Sequence, residues 1–531
     1  MSTINRRDLL GGTAAVLGAG MFGAKQASAV QRAAVPSGGD KRPNLVLFFL
    51  DELRADALSC YGNSVTRTPN FDAFAKSGTR FANCHVQNPV CTQSRCSMLT
   101  GWPTSVRGHR SLYNLLQPDE PNMFRYLKDA GYDVYWFGKN DALAPQTFID
   151  SITTWHDADR QAEYAPLFKI GAKLLLPPTT MRYPGGEDRK TTGDYALVQD
   201  AIKLLEQRNR DRPFCLFLPL SNPHPPYRAP DTFDTMYAPA GLPPLVPPNL
   251  PDKPAYFKGI RDYYKLDQAS DLDLRVVRAA YYGQVSFADW LLGEFLAALT
   301  RTGHDEDTAV IVSSDHGDYA GDYGLVEKWP SGLESCLTHV PLLARMPGGA
   351  KDHVVEEMVE LFDIMATMLE LGGTRATHTN FSRSLVAQLN GAAGDPNRAA
   401  FTEGGYNVYE PQAFEPRMAG PYAPKANLQN DEPLTVQRAA AIKTRDFTYV
   451  ARPHGQSELY DRRRDPMETR NLIGSARHRQ TLGKMQQHLL GWYIETSGVP
   501  ANIKDPRDTP PFYKTPAFPD VERVKQEIID Q

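Results

Sequence analysis

Long hydrophobic runs are missing from this 531-residue chain. No stretch approaches the roughly 18 to 20 apolar residues that cross a bilayer, so no membrane span is expected and the mature protein should be soluble. An excess of either charge is missing as well: 58 Lys and Arg stand against 62 Asp and Glu, a net of −4 with both signs interspersed. That leaves no basic footprint for nucleic acid. Cysteine is scarce, six residues in all, and none forms a Cys-x-x-Cys pair, which argues against a structural zinc site. Cys60, Cys84, Cys91 and Cys96 fall close together, whereas Cys215 and Cys336 lie apart in apolar contexts. A chain this long folds without bridges, so free buried thiols are expected for the five other than Cys91. Internal repeats are also absent.

Apolar residues make up 41% of the chain, enough for a large core and, at this length, for two or more domains. The N-terminus carries Arg6 and Arg7 ahead of a Gly/Ala-rich, mildly apolar segment that closes on Ala27-Ser28-Ala29. Such a pattern reads as a twin-arginine export signal over residues 1–29, followed by a linker over 30–42. It places the mature protein in the periplasm or outside the cell.

From residue 43 onward strands and helices alternate. "NLVLFFLDE" is an apolar run that delivers Asp51 and Glu52 to its carboxyl end. "MFRYLKDAGYDVYWFGKND" reads as helix, glycine stop, strand and polar tip; "PFCLFLPLSNPHPPY" and "DTAVIVSSDHGD" repeat the strand-then-polar-loop pattern. Residues 274–302 have helical spacing and stop at Gly303. These features predict an α/β fold, a large, mostly parallel mixed sheet between helices, with a site along its carboxyl edge. The proline-rich stretch 239–254 can be neither helix nor central strand; it is either a surface connection or a wall of the cleft. A catalytic domain over 43–395, a smaller antiparallel α+β subdomain over 396–500 and a tail over 501–531 complete the expected organisation.

Asp51, Glu52 and Asp315 are oxygen donors at strand ends, the ligand type that hard divalent cations require, and His316 adjoins them. Each acid taken singly is more often a cap or turn residue; two acidic clusters on one sheet edge shift the reading towards a site. After Pro89, residues 92–100 can form a helix stopped by Gly101, which puts Cys91 at the positive end where anions bind. Arg95, one turn on, carries a fork suited to a tetrahedral oxyanion.

"CTQSRCSMLTG", with "LFFLDELRADALSCYGN", "TPNFDAFAKSGTRFANCHV", "NPHPPY", "SSDHGDYAGDYGLVEKW" and "ELYDRRRDPMETRNL", resembles the type I sulfatases of the alkaline phosphatase superfamily in order and spacing, over about residues 43–475. The resemblance implies that Cys91 is oxidised by a maturation enzyme to formylglycine. The hydrate of that residue would attack sulfur and later expel sulfate. It further implies one divalent cation, Ca²⁺ by preference with Mg²⁺ or Mn²⁺ as alternatives, held by Asp51, Glu52, Asp315, His316 and the modified Cys91. Arg95, Lys139, Lys328 and His224 are then the groups around the sulfate of a small-molecule or saccharide ester. Glu52 stands where the family has Asp or Gln, and "SDHG" is closer to choline sulfatases and phosphonate monoester hydrolases than to the "DNG" arylsulfatases. Gln93 stands where the maturation enzyme normally meets Pro or Ala. "FGKND" lacks the histidine that usually follows this lysine, so leaving-group protonation falls to His224 or to another residue such as His109. Two other functions share these residues: a phosphonate or phosphate ester hydrolase, and an unmodified glycan-binding protein.

Overall fold

The computed structural model describes residues 42–158 and 180–500. The export signal, the linker up to residue 41 and the tail after residue 500 lie outside the described residues. Twelve strands are described: β1 Asn44–Asp51, β2 Thr79–His85, β3 Asp133–Phe137, β4 Thr154–His156, β5 Phe214–Pro223, β6 Thr308–Ser314, β7 His339–Arg345, β8 His353–Glu360, β9 Ala400–Gly404, β10 Ala439–Lys443, β11 Phe447–Ala451 and β12 Glu458–Asp461. They form an eight-stranded sheet ordered β4-β3-β5-β1-β6-β7-β2-β8 and a four-stranded sheet ordered β12-β11-β10-β9. In the larger sheet β1 pairs in parallel with both β5 and β6. β7 runs antiparallel to its two neighbours, β6 and β2. The smaller sheet is antiparallel throughout.

β1 shows how an unbroken apolar run becomes a central strand. All eight of its residues are buried, because helices cover both faces of the sheet. Val46, Phe48 and Leu50 join one core with Val277, Leu291 and Phe295 of the long helix Asp271–Arg301. Leu45, Leu47 and Phe49 join the opposite core with Met98, Leu99, Phe124 and Met368. The long helix begins three residues before the predicted position, where Ser270 and Asp273 exchange hydrogen bonds in a capping box.

Four strands of the larger sheet, β2, β4, β7 and β8, add to those expected from the sequence; of these β7 is itself a buried apolar run. In β8 the burial pattern is mixed, with Val354 and Glu356 facing out, so hydrophobicity alone does not mark it. The proline-rich stretch 239–254 contains one short turn of 3₁₀ helix, Pro239–Gly241. It works as a strap: Val246 N–H donates to Asp322 Oδ1 at 2.9 Å, and Lys253 Nζ donates to the Tyr460 hydroxyl of β12 at 2.8 Å. All six thiols are free.

Candidate active site

The carboxyl edge of the larger sheet brings the predicted acids together. β1 ends on Asp51, and Glu52 turns the chain with φ of 67°, a left-handed conformation that strains a residue with a side chain. β6 ends at Ser314, so Asp315 and His316 leave the sheet beside them. Glycine at 317 is required by close approach, since a Cβ there would lie 1.9 Å from the Cys336 carbonyl oxygen.

Cys91 is the first residue of helix Cys91–Thr100, and Gly101 ends that helix in the left-handed region, as predicted. Val90 supplies no side-chain cap, so the first-turn N–H groups keep their partial positive charge at this end. The thiol is buried, 2% exposed, and does not stand in an open surface cleft. Its Sγ is 3.2 Å from His316 Nε2, 3.6 Å from Asp51 Oδ1 and 3.8 Å from Lys139 Nζ. Burial and the Asp51 carboxylate push the thiol well above its ordinary pKa.

Arg95 lies one turn along the helix, yet its fork does not face an open space. Nη2 reaches Asp51 Oδ2 at 2.9 Å and Nε reaches Asp315 Oδ2 at 2.8 Å, with all three side chains fully buried. Arg95 therefore joins the two strand-end carboxylates. Asp315 Oδ1 also accepts from the N–H groups of Glu52 and His316, at 3.1 and 2.9 Å.

The remaining cations arrive on loops. Lys139 follows Gly138, which has φ of 134° and no room for a Cβ against the Pro219 carbonyl oxygen. Its Nζ is 2.5 Å from Asp51 Oδ2 and 2.8 Å from Asp141. Lys328 follows Glu327, another left-handed residue, and its Nζ contacts Glu52 Oε1 and lies 3.0 Å from His224 Nε2. His224, partly exposed in the proline-flanked turn after β5, sits 3.2 Å from Glu52 Oε1 through the same nitrogen.

Both histidines are held neutral. Burial lowers His316, and its Nδ1 is 2.9 Å from the Gly317 carbonyl oxygen. That contact puts the proton on Nδ1 and leaves a lone pair on Nε2 facing the centre. Burial and the neighbouring Lys328 likewise lower His224, whose Nδ1 donates to the Pro225 carbonyl. The ring nitrogens of His109 are taken up by the Asn114 carbonyl at 2.6 Å and Glu120 at 3.1 Å, which ties it into its own loop. His339 bonds the Ala82 carbonyl at 2.9 Å and stacks on His85.

A divalent cation fits this donor set. One ligand atom from each of Asp51, Glu52, Cys91 and His316 lies within 4.8 Å of the others. Two oxygens on opposite sides of one Ca²⁺ are about 4.8 Å apart at usual bond lengths. Asp315 is not among the four; its oxygens meet Arg95 and two backbone amides. Glu52 Oε2 is buried without a hydrogen-bond partner, and so is Oδ2 of Asp318. Burial raises Glu52 well above the ordinary carboxylate range; Lys328 opposes the shift and Asp318 adds to it. A shared proton or a bound cation supplies what such a pair of oxygens lacks. Asp318 was not singled out from the sequence, although "DHGD" carries it three residues after Asp315.

The profile of the family described as Sulfatase matches residues 43–374. The chain belongs to the sulfatase family. It is 27% identical over 454 residues to an ulvan-active sulfatase of Formosa agariphila, covering 82% of this chain and 77% of that one. It is 28% identical over 335 residues to the iduronate 2-sulfatase of Homo sapiens, covering 57% and 60%. Among solved structures, the phosphonate monoester hydrolase of Silicibacter pomeroyi superposes with a TM-score of 0.70 at 22% identity, covering 86% of this chain and 96% of that one. A protein in complex with its substrate D-glucosamine-2-N,6-O-disulfate superposes with a TM-score of 0.66 at 19% identity, covering 86% and 98%. At these identities the structures establish the alkaline phosphatase-like fold. The sulfatase relatives make the chain a sulfuric ester hydrolase.

Proposed function

We propose that this sulfatase hydrolyses an organic sulfate ester, of a saccharide by preference, with a formylglycine nucleophile formed from Cys91. The observation that carries the proposal is the convergence on Cys91 Sγ of His316, Asp51 and Lys139, with Glu52 Oε2 left without a partner beside them. Asp51, Glu52 and His316 would hold one divalent cation, Ca²⁺ by preference, with residue 91 and with Asp315 in support. Such an ion, when bound, supplies Lewis acidity toward a sulfate oxygen. Arg95 locks the two strand-end carboxylates in place. Lys139 and Lys328 offer ammonium groups to the ester's charged oxygens, and His224, neutral with its Nε2 lone pair toward Lys328, would take a proton from that ammonium before passing one to the leaving oxygen. The ulvan-active and iduronate relatives support a sulfated saccharide as substrate. Export through a twin-arginine signal over residues 1–29 and maturation before transport complete the reading.

Two measurements test it on metal-loaded protein. The mass of the peptide spanning residues 88–101 reads the conversion of Cys91, and initial rates with saccharide sulfates, aryl sulfates and phosphonate monoesters rank the substrates. Conversion with sulfate-ester turnover is expected. A fully unconverted cysteine, or turnover of phosphonates alone, overturns the reading. The phosphonate arm is included because that hydrolase shares the fold.

A further inference from the structure

A buried file of alternating charge leads away from this site to residues that lie far along the chain. Glu52, Lys328, Glu327, Lys425 and Glu415 follow one another, none more than 5% exposed. Lys328 contacts Glu52 at one end and is 3.2 Å from Glu327 Oε1. The same Glu327 oxygen is 2.9 Å from Lys425 Nζ, and Lys425 is 3.6 Å from Glu415. Glu327 is further fixed by the Tyr264 hydroxyl at 3.2 Å on Oε2 and by its own N–H, which donates to the Tyr227 hydroxyl at 2.7 Å. Gln429 holds Glu415 at 2.9 Å. Burying Lys328, Glu327, Lys425 and Glu415 as charges is costly, so their alternation has to be close to complete.

Lys425 belongs to helix Ala423–Asp431, within the connection between β9 and β10. That connection touches the surroundings of the site twice more. The Tyr422 hydroxyl donates to the Pro225 carbonyl at 3.1 Å, next to His224. Glu410 pairs with Arg110, whose carbonyl accepts from Gln93 Nε2 at 3.1 Å. One connection is thus fastened beside Lys328, His224 and the nucleophile helix.

We propose that Glu327 and Lys425 are positioning residues for the Lys328 ammonium, and through it for the ester's anion. The proposal rests on the reading that Lys328 meets that anion. Glu327 Oε1 is shared between two ammonium groups. While Lys425 holds one side of it, Glu327 draws Lys328 only weakly, and Lys328 stays on the side of Glu52 and His224. Without Lys425 the carboxylate has a single cation and pulls Lys328 off the anion. Without the Glu327 charge, Lys425 and Lys328 repel, and Lys328 is pressed toward the anion.

The test uses metal-loaded, full-length Lys425→Met, Lys425→Arg and Glu327→Gln. It reads KM and kcat for an ester that the wild type turns over, inhibition by inorganic sulfate, and calorimetric binding of inorganic sulfate. In Lys425→Met, KM and the sulfate inhibition constant should rise together by about tenfold, as loss of a charged contact from ground state and transition state alike requires, with kcat changed by less than about threefold. Lys425→Arg should restore both constants. Glu327→Gln should move them the opposite way, toward tighter sulfate, and it decides the matter if Lys425→Met does not fold. A merely structural role lowers kcat through the folded fraction and leaves KM and sulfate binding unchanged; that result, or a shift in the same direction in both variants, overturns the proposal. If the wild type turns over only a phosphonate monoester, the sulfate reading fails. The same ratios, taken with that ester and inorganic phosphate, then still decide the positioning.

Discussion

Arg95→Met isolates what the fully buried guanidinium does. The substitution keeps the length of the stem and removes the fork. Two charge-assisted bonds disappear, at 2.9 Å to Asp51 and 2.8 Å to Asp315. They are not equally missed. Asp51 Oδ2 keeps Lys139 at 2.5 Å, whereas Asp315 Oδ2 loses the cation that faces it. Hydrogen bonds to charged groups contribute about 1.5 to 3 kcal/mol each, and stranding a buried charge costs about 3 to 5 kcal/mol, so a loss of about 4 kcal/mol is expected. Against a total of about 5 to 15 kcal/mol this leaves a folded but weakened protein. Urea unfolding at neutral pH, wild type and variant side by side in chelator, should show a lower midpoint with an unchanged slope. Adding Asp315→Asn removes the stranded charge, so the double variant should be more stable than the sum of the two single losses, by about 2 kcal/mol. The pH dependence follows from Asp51. Burial alone would raise its carboxyl, but Lys139 and Arg95 outweigh burial and hold it well below its ordinary value. The stability it contributes is complete above the ordinary carboxylate pKa and is lost as pH falls through the depressed one. With one of those cations gone, acid unfolding of Arg95→Met should begin at a higher pH than in the wild type. An unchanged urea midpoint, or single losses that simply add, would refute the reasoning.

Three further outcomes are expected. Chelation should abolish turnover and Ca²⁺ add-back should restore it; metal content by mass spectrometry should fall further in Glu52→Gln than in Asp315→Asn, because Glu52 belongs to the four converging ligands and Asp315 does not. Cys91→Ala should abolish turnover at a stability cost of about 1 kcal/mol, since a buried sulfur is removed without creating a large cavity; retained activity would make the thiol structural. Gln93→Pro should fold, because the first intrahelical bond of helix Cys91–Thr100 is donated by Ser94 N–H to the Val90 carbonyl at 2.9 Å, and residue 93 has no such bond to lose. The fraction of aldehyde in that variant should rise, because proline pre-orders the segment that the maturation enzyme must bind; equal conversion in both proteins would assign Gln93 to the folded site, where it donates to the Arg110 carbonyl.

The two halves of this site differ in how far they can be read from residues alone. The carboxylates come from strand ends. β1 and β6 are central, parallel and covered on both faces, so each is an apolar run with an acid at its carboxyl end, and Asp51 and Asp315 stand out by position. The helix that starts at Cys91 is equally legible, bracketed by Pro89 and a left-handed Gly101. No local pattern announces the cations, because they ride on loops whose backbone is set by distant neighbours. Lys139 depends on a glycine pressed against Pro219, Lys328 on a left-handed Glu327, and His224 on a proline-flanked turn whose His224 and Pro226 carbonyls accept from Gln284 at 3.2 and 3.4 Å. Their identity came from resemblance and their partners only from the fold. Lys425, nearly a hundred residues beyond Glu327, shows why: a buried pair fixes two side chains and leaves the intervening sequence free. Pattern reading therefore recovers the part of the site that would hold a cation. The part that would hold the anion, and with it the choice of substrate, is set by loop contacts that each sequence in such a fold can settle differently.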